Sequence, residues 1–92
     1  MNDQTEVPGQ HPRIARLYRL QWEEAQNAHV LLFPEGMVKL NQSAGEILRR
    51  CDGSRSVADL IADLETAFSA TNLKADVEAF LAHARSRGWL EP

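Results

Sequence analysis

Three histidines and one cysteine are the side chains of this 92-residue sequence best suited to hold a metal ion or attack a substrate. His11, His29, His83 and Cys51 stand far apart in the chain. None belongs to a short ligand pair such as C-x-x-C or H-x-x-x-H, so local spacing builds no metal centre. His29 borders an apolar run and His83 sits in a helical pattern, so each reads as a solvated or satisfied histidine. Cys51 closes an apolar helical stripe and reads as a small buried hydrophobe. There is no Gly-x-Ser-x-Gly elbow and no glycine-rich phosphate loop. Glu23 and Glu24 are adjacent, so on a strand they point to opposite sides and make no acid/base pair. Asp59 and Asp63 share a helix face at i, i+4, the usual pattern of a solvated face. The chain reads as a protein that is not an enzyme and carries no metal or cofactor.

The elements around these residues follow from hydrophobic spacing. Residues 1–15 contain a polar, proline- and glycine-bearing stretch without apolar period, and are expected to form a mobile arm. Residues 16–92 make the single domain. In 16–24, Tyr18, Leu20 and Trp22 alternate to one face, which predicts a first strand. Ala25-Gln26-Asn27 make a polar turn. Residues 29–33 predict a second strand and 37–40 a third. Between them, Pro34-Glu35-Gly36 reads as a three-residue hairpin loop with a bulge, proline presetting the first corner.

Asn41 fits an N-cap, since its side-chain oxygen can accept from the free amides of a helix starting at Gln42. Ala44, Ile47, Leu48 and Cys51 then fall at i, i+3, i+4 and i+7, which predicts a first helix over 42–51. Arg49 and Arg50 close it, where cations suit the macrodipole. Ser56 caps a second helix with Asp59 three residues on, and its stripe is Val57, Leu60, Ile61, Leu64 and Phe68. A third helix runs over 73–87 with Leu73, Val77, Phe80, Leu81 and Ala84 inward. Gly88 suits the residue after its end, and Trp89 and Leu90 fold back on the core. The order is three strands and then three helices: an α+β, winged-helix-like domain whose helices cover one sheet face.

Composition narrows the function. A chain this long buries roughly 60–65% of its unfolded surface, enough for one modest core. The net charge of −3 and pI near 5.5 argue against a nucleic-acid partner. The N-terminus has no apolar run of signal-peptide type and no stretch is long enough to span a bilayer, so neither secretion nor a membrane is expected. One cysteine leaves no internal disulfide and suits the reducing cytoplasm. What remains for function is surface. The third strand ends the meander with unpaired backbone groups, to which an extended peptide could add as a fourth strand. A short edge that stays harmless, or one covered by a helix, is the competing reading.

The segment Leu32-Phe33-Pro34-Glu35-Gly36-Met37, with Lys39-Leu40-Asn41, Ala44, Ile47 and Leu48 after it and Leu20 to Gln26 before it, resembles the pyrroloquinoline quinone biosynthesis protein D (PqqD) family. The likeness runs from about Arg16 to Leu90 and includes Gly88-Trp89-Leu90. The broader layout is similar to leader-peptide recognition domains, the RiPP recognition elements. The resemblance implies a non-catalytic peptide chaperone with a winged-helix-like fold. Its partners would be the ribosomal precursor peptide, PqqA, and a radical S-adenosylmethionine enzyme, PqqE, that cross-links it. It also implies a groove between the third strand and third helix. Met37, Val38, Lys39 and Leu40 would form the strand side; Val77, Phe80, Leu81, Ala84 and Arg85 would form the helix side. Val77, Phe80 and Leu81 equally suit plain core. Proline at Val38 would weaken peptide binding if that donor faces the groove. The alternatives are a winged-helix DNA-binding domain, opposed by the acidic balance, and a structural subunit that forms a homodimer by edge pairing or strand swapping.

Overall fold

Val30-Leu31-Leu32-Phe33 offers water no polar face, so it forms the middle of a sheet. A computed structural model of the chain describes residues 11–91. Ala28–Phe33 (β2) pairs antiparallel with Arg19–Glu23 (β1) on one side and Gly36–Lys39 (β3) on the other. Gln42–Leu48 (α1), Val57–Ala67 (α2) and Lys74–Ser86 (α3) follow. This is the predicted α+β order of three strands and three helices. The row Leu20, Leu31, Val38 crosses the sheet on the helix side, with Leu31 fully buried. The opposite face carries the rows Arg19, Leu32, Met37 and Gln21, Val30, Lys39.

Several boundaries differ from expectation. β1 starts at Arg19 because Arg16 and Leu17 turn, the Tyr18 N–H donating to the Ala15 carbonyl at 3.0 Å. Phe33 pairs with Gly36, so Pro34 and Glu35 make a two-residue hairpin loop rather than three. Of the expected arm, residues 1–10 lie outside the described residues. Residues 12–15 are held on both sides. The Ile14 N–H donates to the Cys51 carbonyl (3.1 Å) and the Ala15 N–H to that of Trp89 (2.8 Å). In return Gly53 donates to Pro12 (2.9 Å) and Glu91 to Arg13 (2.8 Å).

The caps are as the side chains dictate. Asn41 Oδ1 accepts from the Ala44 N–H at 2.8 Å, and Ser56 Oγ from the Asp59 N–H at 3.0 Å. α1 is shorter than predicted. After Leu48 it tightens: Arg50 N–H bonds Ile47 and Cys51 N–H bonds Leu48. Cys51 still turns inward, its thiol donating to the Ile47 carbonyl. Gly88 takes φ +80°, a left-handed value that costs glycine little. The reversal returns Trp89 and Leu90 to the core, where both are buried.

Arg50, expected to complement the helix dipole, is buried. Its guanidinium donates to Glu46, both Oε1 (2.7 Å) and the main-chain carbonyl (2.8 Å), and to Asp63 on α2. Asp63 is therefore an ion-pair partner rather than one of two solvated carboxylates. Phe68, expected in the α2 stripe, ends that helix 45% exposed, with the Arg50 guanidinium 6.0 Å from its ring centre.

α1 lies close against β2. A Cβ added at Gly45 would stand 2.7 Å from His29 Nδ1 and 3.1 Å from His29 Cβ. Gly45→Ala should therefore lower stability by about 1–3 kcal/mol, less whatever alanine returns in helix propensity. In a His29→Ala background only the 3.1 Å contact with Cβ remains, so the same change should cost less. Urea unfolding of the four variants in that cycle reads the difference. Hydrogen bonding from Arg50 holds the carboxyls of Glu46 and Asp63 below their usual range. Their contribution is present above that range and is lost as pH falls through the lowered values. The acid limb of stability, below about pH 4.5, should be steeper in the parent chain than in Arg50→Met. Parallel limbs in urea midpoints from pH 7 to 3 would refute this.

Candidate functional site

Antiparallel pairs alternate between residues that bond one another and residues whose N–H and C=O point away. The Leu40 N–H donates to the His29 carbonyl at 3.0 Å, which sets the phase of the β2–β3 ladder. Counting back through the register, Val38 bonds inward to Leu31, while Met37 and Lys39 turn their N–H and C=O outward. No strand among the described residues pairs with that edge. The outward donors are thus those of Met37 and Lys39. The Val38 donor belongs to the sheet itself, so proline at Val38 would break the ladder rather than the groove. Met37 is 51% exposed and Lys39 is exposed. Val38 is half-buried and Leu40 is core.

The helix side differs from the expected wall. Leu81 and Ala84 are buried in the core and offer no surface to a peptide, and Val77 is buried too, touching only the groove among the helices. Phe80 is half-buried and packs 6.5 Å, centre to centre, from Trp89. Arg85 is five residues from Phe80, about 140° around the helix. The two therefore flank the buried stripe on opposite sides and do not form one wall. The Arg85 charge lies toward Cys51, whose thiol burial pushes up to about 12. At that value Cys51 is a thiol at neutral pH and has little nucleophilic character. Trp89 is packing, as expected.

No cluster of three or more His, Cys, Asp or Glu among the described residues could hold a metal ion. His29 meets Trp22 edge-on at 5.0 Å, and His83 meets Trp89 edge-on at 5.5 Å. No helix among them is long and apolar enough to cross a membrane.

Two grooves of about 290 Å³ each flank the first turn of α1. One opens under the sheet, between Trp22, His29, Leu40 and Glu46. The other lies among the helices, with Ile47, Leu64, Phe68, Leu73 and Val77 as its apolar lining and Gln42, Ser43, Glu46 and Asp76 as its polar lining. Sequence reasoning missed both. Their residues come from three or four separated segments, and no single periodicity joins them. The exposed Trp22 (49%) and Phe68 (45%) are the nearest thing to a signal, since both stood in apolar stripes at their ends.

This fold and edge can be set beside known proteins. The family described as Coenzyme PQQ synthesis protein D (PqqD) matches residues 28–90. A protein of Azotobacter vinelandii (strain DJ) named PqqA binding protein is 52% identical over 81 residues, 87% of this chain and 88% of that one. One of the same name from Stutzerimonas stutzeri (strain A1501) is 48% identical over 83 residues, 89% of this chain and 90% of its own. The solution NMR structure of the PqqD truncation of Methylobacterium extorquens PqqCD, described as a functional and stand-alone RiPP recognition element, matches with a TM-score of 0.73. Its sequence is 32% identical, and 88% of each chain is covered. With the β1-β2-β3 sheet, the three helices that follow it and a family match over 28–90, this chain belongs to the PqqD family.

Proposed function

We propose that this protein is a non-catalytic chaperone of pyrroloquinoline quinone biosynthesis, which binds the precursor peptide PqqA by strand addition. The observation that carries the reading is the edge of β3, where Met37 and Lys39 point backbone groups outward that pair with no strand among the described residues, in a chain of the PqqD family. The names of the relatives, PqqA binding protein, support the same partner. An extended peptide would exchange main-chain hydrogen bonds with Met37 and Lys39, and its side chains would alternate over Met37 and Val38. Phe80, half-buried on α3, is the helix-side candidate for this contact.

Holding the peptide extended lowers the entropy cost of its next binding step. That is how a non-catalytic protein serves a modifying enzyme. The enzyme to which the peptide passes is the radical S-adenosylmethionine partner, PqqE, in the cytoplasm. The same open edge is also where two copies would pair as a homodimer, so peptide and self-association compete for it.

Lys39→Pro removes an outward donor and leaves the inward ladder whole, a placement proline tolerates at a sheet edge. It should weaken binding of synthetic PqqA by roughly 3- to 10-fold, the worth of one main-chain hydrogen bond. Lys39→Ala, which keeps the donor, should bind nearly as the parent does. Calorimetric titration of the folded variants decides it: equal affinities for the proline and alanine forms would refute strand addition at this edge. Sedimentation at rising concentration, with and without peptide, reports the competing dimer.

A further inference from the structure

The helices cover one face of the sheet and leave Lys39 on the other. Val38 packs against the core beneath the sheet, so the alternation of β3 turns Met37 and Lys39 to the opposite face. There Lys39 ends the row Gln21, Val30, Lys39, with Ala28 and Leu32 diagonal to it on β2. None of these is a carboxylate. Glu23 shares the face but lies on β1, two strands away and so roughly 10 Å off. It accepts from Gln21 Nε2 at 3.4 Å. Lys39 is exposed and enters no ion pair among the described residues.

A strand added at the free edge must set a side chain beside that ammonium. The outward N–H and C=O of Lys39 bond the incoming backbone. In either strand direction the residue directly across shares its face, with Cβ atoms about 5 Å apart. An opposite charge there favours the pairing and a like charge opposes it. We infer that the bound precursor peptide places an Asp or Glu directly across from Lys39, and that this pair fixes the register in which the peptide adds to β3. The inference rests on the strand-addition reading and names the chemistry of one peptide position. Backbone bonds alone let a strand slide, but a slip of two residues moves the acid across from Met37, which has no charge to meet it. An exposed ion pair adds little affinity, so Lys39→Ala stays near the parent. Its weight falls on discrimination between registers.

The test is a charge swap. The parent and Lys39→Glu proteins are titrated calorimetrically, at low and high salt, with synthetic PqqA and with PqqA peptides in which each Asp and Glu is replaced by lysine in turn. Amide shifts of the labelled parent on adding intact PqqA report the strand contact at Met37 and Lys39. At low salt one replacement should weaken binding to the parent by about 3- to 10-fold, and Lys39→Glu should restore most of that loss. Both effects should shrink at high salt. The other replacements should act alike on the two proteins. If no replacement depends on residue 39 while the Met37 and Lys39 amides still shift, the acidic contact is overturned and strand addition stands; Lys39 then only guards the edge against other strands. Several replacements compensated equally would mean a diffuse field and would also overturn the contact. Still amides at Met37 and Lys39 would overturn strand addition, and the contact with it.

Discussion

The architecture depends on how closely α1 lies against β2. β3 and α1 are separated by two residues, so the helix must start at the end of the sheet and return beneath it. It returns under the middle strand, where the ring of His29 occupies the space that a side chain at position 45 would take. A helix crossing the outer strand instead would have covered the β3 edge. Because α1 sits inward, that edge stays open, and the opposite flank of α1 is left to meet α2 and α3. The missing side chain at Gly45 is what lets α1 lie this close to β2.

Arg50 holds the second half of the molecule to the first. α1 and α2, at seven and eleven residues, are too short to persist alone in water. Packing of Leu48, Leu60 and Leu64 supplies the adhesion, and Arg50 supplies the orientation. Its single guanidinium joins Glu46 on α1 to Asp63 on α2, and Arg55 closes the intervening loop by donating to the Arg50 carbonyl at 3.2 Å. Both carboxylates remain partly exposed, so solvent screening limits what the pairs contribute to stability. The network also sets Arg50 over Phe68, and in that way fixes one wall of the groove.

The candidate site was legible in part. Pro34 and Gly36 between two apolar runs marked the hairpin, and the short third run marked an edge. Period-2 reasoning says which side chains share a face. It does not say which amides point outward, because that depends on the phase of the ladder, which only the Leu40–His29 bond sets. The helix side was ambiguous for a related reason. Val77, Leu81 and Ala84 have the same spacing whether they face a groove or a core, and tertiary packing chose the core. Phe80 and Arg85 were grouped as one wall although helical geometry parts them by about 140°.

By itself the sequence determined the elements and their order. Local physics was enough for that: alternation in the strands, stripes in the helices, Asn41 and Ser56 as caps, Gly88 as the stop that returns Trp89 to the core. These signals act within a few residues of themselves. The tertiary structure decided what depends on distant residues meeting: the outward phase of Met37 and Lys39, the burial of Arg50 between Glu46 and Asp63, the binding of residues 12–15 between two distant segments, and the groove beside α1. Each joins residues with no common period in the chain, so no spacing rule reaches them. They exist only once α1 has packed beneath β2.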